Sequence, residues 1–316
     1  MRGSGGLRGG LFAAGLLALA ACDPVQTGGV DLPPPPPLPE VGADATALAP
    51  ASRELAAYYQ RVQNDLLARG LLRRDGGGAD TPFTERQLVE NFVRIALYEE
   101  FSTVGGRIVA RESESRLHRW EQPVRMTIEF GDSVPAEQRI RDRNAILSYA
   151  RRLSDVSGHP IRATDANPNY HVLILNEAER KAIGPRLLEI VPGLGQSAID
   201  TVQDIPRTTF CLVFAVDPQN DGAYTRAVAI IRGEHPDLLR LSCIHEEIAQ
   251  GMGLSNDSPA ARPTIFNDDE EFALLTRHDE LLLQILYDDR LRPGMTVNEA
   301  RPIVETIVSE LLGGPV

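Results

Sequence analysis

The chain has 316 residues, 42% hydrophobic and 24% charged, the balance of a globular domain long enough to bury one large core or two smaller ones. Its formal net charge of −12 repels phosphate backbones and anionic lipid, so nucleic acid and polybasic membrane binding are disfavoured.

Arg2 and Arg8 precede an uncharged run from Leu11 to Ala21 rich in Leu and Ala, a basic region followed by a short apolar one. As a helix that run rises about 16 Å, roughly half a hydrocarbon core, so a signal peptide over 1–21 fits better than a span. Leu19-Ala20-Ala21-Cys22 resembles the bacterial lipobox, which implies cleavage before Cys22 and lipid on that cysteine. An ordinary signal peptide beside a coincidental cysteine is the alternative. Anchoring by several acyl chains would place the body in the cell envelope, facing the periplasm, with inner or outer membrane left open. Residues 22–50 are rich in Gly, Pro and Ala, with prolines at every position from Pro33 to Pro37, a stiff tether. Export leaves Cys211 and Cys243 where disulfides persist, as one bridge or as two buried thiols; spacing does not decide between them.

A small helical region is expected over 51–105, as a subdomain or as a brace on the main body. Ser52 is placed to cap a helix to about Arg69, and Thr84 to Phe101 repeats the helical pattern. From 106 to 316 the pattern is that of an α+β body on a mixed sheet. Strands are expected over Val124 to Phe130, Tyr170 to Leu175, Thr208 to Val216 and Ala227 to Arg232. Helices are expected over Pro135 to Ser154, Glu177 to Ile190 and Asp237 to Leu254, then from Thr276 to Tyr287 and from Thr296 to Leu312.

The densest polar cluster on an apolar helix is Cys243-Ile244-His245-Glu246-Glu247-Ile248-Ala249-Gln250-Gly251-Met252-Gly253-Leu254-Ser255-Asn256-Asp257. Glu246 and Gln250 share a face one turn apart, Glu247 is rotated by about 100°, and Gly253 lets the chain turn back. The stretch resembles the active-site helix of the metzincin metalloproteases, H-E-x-x-H-x-x-G-x-x-H with a following Met-turn. Laying Gly253 on the motif's glycine puts Glu247 on the catalytic glutamate and Glu246, Gln250 and Asn256 on the three histidines. Arg119-Trp120-Glu121-Gln122-Pro123-Val124 looks like the start of the first strand of matrix metalloprotease domains, and 138–156 like their first helix. Thr264-Ile265-Phe266-Asn267 falls where the Met-turn belongs, with Phe266 at the methionine, and Thr276 to Tyr287 resembles the C-terminal helix. More narrowly, Cys243 to Met295, with its string Tyr287-Asp288-Asp289-Arg290-Leu291-Arg292-Pro293-Gly294-Met295, looks like an uncharacterised proteobacterial family of exported proteins of unknown function.

The resemblance implies a metzincin-like fold with altered ligands. Gln250 and Asn256 are neutral amides and poor zinc donors, and Ala249 stands where a His245 register needs its second imidazole. His245 and Asp257 are alternative ligands that no spacing singles out, as are His278 and Asp279. No cofactor is assigned by these residues; zinc is the ion that a rearranged set would take. One reading is a non-proteolytic binding or scaffold module in which Glu246, Gln250 and Asn256 form a buried network. The other is a zinc-dependent metallopeptidase acting on envelope proteins or peptides. The expected partners are the membrane, through the anchor, and an unidentified envelope protein or peptide. His118, His159, His171 and His235 are scattered singly, and Asp268 to Glu271 is expected as a solvated acidic turn without the spacing of a calcium loop.

Overall fold

The computed structural model describes residues 17–21, 48–104, 107–267 and 269–313. Cys22, the proline run and Asp268 lie outside the described residues.

The N-terminal helices are α1 (Pro50–Ala68) and α2 (Glu85–Ala96). α1 starts before Ser52, at Pro50, because proline suits the first helical turn; Ser52 is buried within the helix. Thr84 caps α2 in a capping box with Gln87, but the helix stops at Ala96 rather than Phe101. There β2 (Tyr98–Val104) begins and pairs antiparallel with β3 (Arg107–Glu114). The helical region expected over 51–105 therefore contains a strand whose partner lies beyond that boundary. Tyr59 and Leu66 of α1 and Leu88, Phe92 and Ile95 of α2 belong to the main hydrophobic cluster, so the two helices brace the body.

The main body runs β4 (Val124–Phe130), α3 (Ala136–Ser157), β5 (Ile161–Ala163) and β6 (Tyr170–Leu175). Next come α4 (Glu177–Lys181), α5 (Gly184–Ile190), α6 (Gln196–Gln203), β7 (Cys211–Val216) and β8 (Arg226–Arg232). It ends with α7 (Asp237–Gln250), α8 (Arg277–Leu286) and α9 (Val297–Leu312). The single helix expected over Glu177 to Ile190 is split, with Gly184-Pro185 opening a new one. β5 and α6 carry patterns too short to read from the sequence.

β5, β4, β6 and β8 are parallel neighbours in that order, and β7 pairs antiparallel with β8. Outside β7 lies β1 (Leu17–Ala21), also antiparallel; this segment belongs to the expected signal peptide, whose removal would leave β7 as the edge. Both sheet faces are covered, which explains the near-continuous apolar runs in β6, β7 and β8. Leu173, Leu175, Leu212, Phe214, Val228 and Ile230 pack on α5 and α6. The alternate residues, including Val172, Ile174, Cys211, Val213, Ala229 and Ile231, share the larger core with side chains of α3, α7 and α8. Cys211 at the head of β7 is disulfide-bonded to Cys243 in α7, with Cα atoms 5.9 Å apart.

Candidate functional site

α7 is held at both ends by other elements. At its start Gln63 of α1 accepts the Leu239 N–H, 3.0 Å, satisfying a backbone donor that no helix can satisfy itself. Arg240 spans the buried gap to α3, its Nε 2.8 Å from Asp142. At the other end, carbonyls of the last turn and of the residues after it accept from aromatic side chains, the Glu247 carbonyl in addition to the Gly251 N–H. Trp120 Nε1 donates to Gly251 O at 2.8 Å, Tyr287 Oη to Met252 O at 2.8 Å and Tyr170 Oη to Glu247 O at 3.0 Å. Burial, and then the charge of Glu247, push the Tyr170 hydroxyl far above its ordinary pKa, so it acts there as a donor. Gly253 ends the turn at φ +122°, where an added Cβ would meet His118 O at 2.2 Å; only glycine accepts both the angle and the approach.

The residues at the three motif-histidine positions are all buried: Glu246, Gln250 and Asn256 are 6%, 1% and 2% exposed, and Glu247 is 0%. They do not converge on an open cleft. Gln250 Nε2 donates to Asp257 Oδ1 at 3.1 Å. Asn256 turns the other way, its Nδ2 donating to Arg94 O at 2.9 Å and its backbone N–H to Ile95 O at 3.0 Å. One amide closes the turn after α7, and the other secures the end of α2. Phe266 is fully buried in the core, with its carbonyl accepting the Ser258 N–H. The loop carrying it is tied to α8 by Asp279, which accepts from the Thr264 hydroxyl, the Ile265 N–H and the N–H of the cap residue Thr276.

The alternative ligands are engaged elsewhere. His245 Nδ1 accepts the Leu275 N–H at 3.0 Å, and its ring stacks on Tyr149 with centroids 3.9 Å apart. Burial, then the charge of Arg152, lowers its pKa to about 3, so it is a neutral core histidine. His278 accepts from Asn91 Nδ2 and meets Phe83 edge-on. His235 sits among Tyr59 and Phe210, with Nδ1 3.7 Å from Cys243 Sγ. His118 stacks on Tyr224. His171 donates to Glu129, whose carboxyl falls to about 2: burial works to raise it, but hydrogen bonds from His171 and Arg186 prevail. In the acidic turn, Glu271 is not simply solvated, since it pairs with Arg73 and Arg262.

Among the described residues, one trio of acidic, cysteine or histidine donors lies close enough to share an ion: Cys211, Glu246 and Glu247, whose donor atoms fall within 4.8 Å of one another. The Cys211 sulfur is committed to the disulfide, leaving two carboxylates beside hydrogen-bonded amides. That set does not fit the three-donor requirement of zinc.

Trp120 and Tyr287 of the aromatic cap also line a concavity. A cleft of about 430 Å³ opens between Arg119-Trp120-Glu121, His159 and Tyr287-Asp288-Asp289. Arg119 is 8% exposed and anchors one wall, Nη1 donating to Leu286 O and Asp288 O and Nε to Glu121. Burial, its largest influence, lowers the pKa of His159. The sequence marked 119–124 as a strand start and 287–295 as a family string, and their meeting across this cleft had no local signal.

Residues 85–306 match the family model DUF2927, described as a protein of unknown function. No curated protein matches, and no solved structure matches. The match opens at the first residue of α2 and closes inside α9, so α2 and the β2–β3 hairpin belong to the family unit. The chain belongs to the DUF2927 family.

Proposed function

We propose that this chain is a lipid-anchored cell-envelope protein whose metzincin-like domain serves as a non-proteolytic binding or scaffold module. The observation that carries the reading is the commitment of both amides: Gln250 to Asp257, and Asn256 to the Arg94 carbonyl. A hydrolytic zinc site needs three converging donors and room for water, whereas these groups are buried and directed apart. The metzincin-like assignment is supported by a mixed sheet with an antiparallel strand beside β8, a long polar-bearing helix packed on it, and a glycine turn at Gly253. The anchor rests on Leu19-Ala20-Ala21-Cys22.

Elemental analysis and a peptide-hydrolysis assay on protein purified with its disulfide intact test the reading. The expected result is metal far below one equivalent and no cleavage, unchanged in Glu247→Gln. Stoichiometric zinc that disappears with proteolysis in Glu246→Ala or Glu247→Gln would establish the metallopeptidase instead. Cys22→Ser should move the protein from the membrane to the soluble envelope fraction; unchanged fractionation would remove the anchor.

A further inference from the structure

We infer that the Cys211–Cys243 disulfide masks a divalent-cation site, formed by the Cys211 thiolate with the Glu246 and Glu247 carboxylates once the bridge is reduced. Glu246 and Glu247 stand three and four residues after Cys243 on α7, one helical turn on, so the face carrying the bridge also presents the two carboxylates. The donor atoms of Cys211, Glu246 and Glu247 fall within 4.8 Å of one another. Bonds of about 2.3 Å to sulfur and about 2.0 Å to oxygen gather such atoms with small movements, leaving a fourth tetrahedral position for water. One thiolate with two carboxylates suits a borderline ion such as zinc or cobalt. The bound cation would also offset two buried acidic groups placed side by side.

The chemistry balances with a dithiol as reductant. Its two electrons and two protons break the S–S bond and leave two thiols, and the dithiol becomes a cyclic disulfide. Cys211 then loses its proton as the metal–sulfur bond forms. The freed Cys243 thiol remains beside His235 Nδ1, 3.7 Å away in the oxidised protein. This inference is independent of the scaffold reading, which concerns the oxidised chain.

Cobalt(II) titration of the whole protein, read by the sulfur-to-cobalt charge-transfer band, tests it. Dithiothreitol-reduced, desalted protein and Cys243→Ser, which frees Cys211 without reductant, should each bind one equivalent with the band. Oxidised protein and Cys211→Ser should show none. Glu247→Gln in the Cys243→Ser background should weaken binding at least tenfold. Absence of the band in folded Cys243→Ser, or an equal band in Cys211→Ser, would overturn the inference. Unfolding of both the reduced chain and Cys243→Ser, seen by circular dichroism, would overturn it equally, because the site requires a folded body without the bridge. Hydrolysis is not part of the readout, so failure here leaves the proposed function standing.

Discussion

The two polar regions at the C-terminal end of α7 are built on opposite principles. On the helix and in the loop that follows it, Glu246, Glu247, Gln250 and Asn256 are buried, and the two amides close short links within the fold. A few residues away, across Trp120 and Tyr287, the cleft of about 430 Å³ carries Glu121 and Asp289 as exposed carboxylates beside a buried Arg119. Buried polar groups must be satisfied internally and so become structural, while groups lining an open cleft keep water and remain free to exchange it for a ligand. Resemblance to a protease motif points at the first region. Accessibility points at the second.

Trp120 belongs to both regions, and its removal should have the largest effect. Trp120→Ala deletes a fully buried ring and the donor to Gly251 O, with an expected loss of about 3–5 kcal/mol in denaturant unfolding. A loss below about 1 kcal/mol would mean that the two regions are not joined through this ring. Asn256→Ala leaves the Arg94 carbonyl without its side-chain donor and should cost about 1–3 kcal/mol. If Asn256 instead faced a metal, added zinc would raise the melting temperature of the wild type and not of the variant; no such difference is expected.

Acid should discriminate between the regions more gently. Burial, then the charge of Arg152, lowers the His245 pKa to about 3 in the folded chain from its ordinary 6.5. Between those values the unfolded chain binds the extra proton, so this contribution is intact above about pH 6.5 and is lost as pH falls toward 3. The slope approaches about 1.4 kcal/mol per pH unit. His245→Gln keeps an acceptor for the Leu275 N–H and should reduce the slope measured by unfolding between pH 7 and pH 5, with His235 and His159, whose pKa values burial also lowers, supplying the remainder; an unchanged slope would place the proton uptake elsewhere. The smallest effect is expected in the cleft, where Asp289→Asn should change stability by less than about 0.5 kcal/mol. A larger loss would show Asp289 to be structural and the cleft no freer than the helix.

Local chemistry made much of the frame legible. Thr84, Thr276 and Thr296 each begin a helix through a capping box, because a cap is a contact between residues three apart. The strands at Val124–Phe130 and Tyr170–Leu175 match their expected bounds, since alternation in the first and a short apolar run in the second are visible in one dimension. The hairpin from Tyr98 was not legible as strand, because the helical period of α2 continues through Tyr98 in the sequence while the chain itself turns into β2. Whether Pro50–Ala68 stands apart or braces the body depended on Tyr59 meeting Phe210 and His235, contacts that no window of sequence contains.

The candidate site divides in the same way. Sequence by itself determined that α7 would carry Glu246, Glu247 and Gln250 at helical spacing and that Gly253 would turn the chain, since both follow from backbone geometry within a few residues. Only the tertiary structure decided that Asn256 is directed to Arg94, that Gln250 meets Asp257, and that Cys211 lies beside the two glutamates. It also decided that a cleft opens where Arg119 meets Asp288. Arg94 and Asn256, like Arg119 and Asp288, are separated by more than 160 residues. Their meeting is set by how the helices pack on the sheet, a property of the whole core rather than of any local pattern.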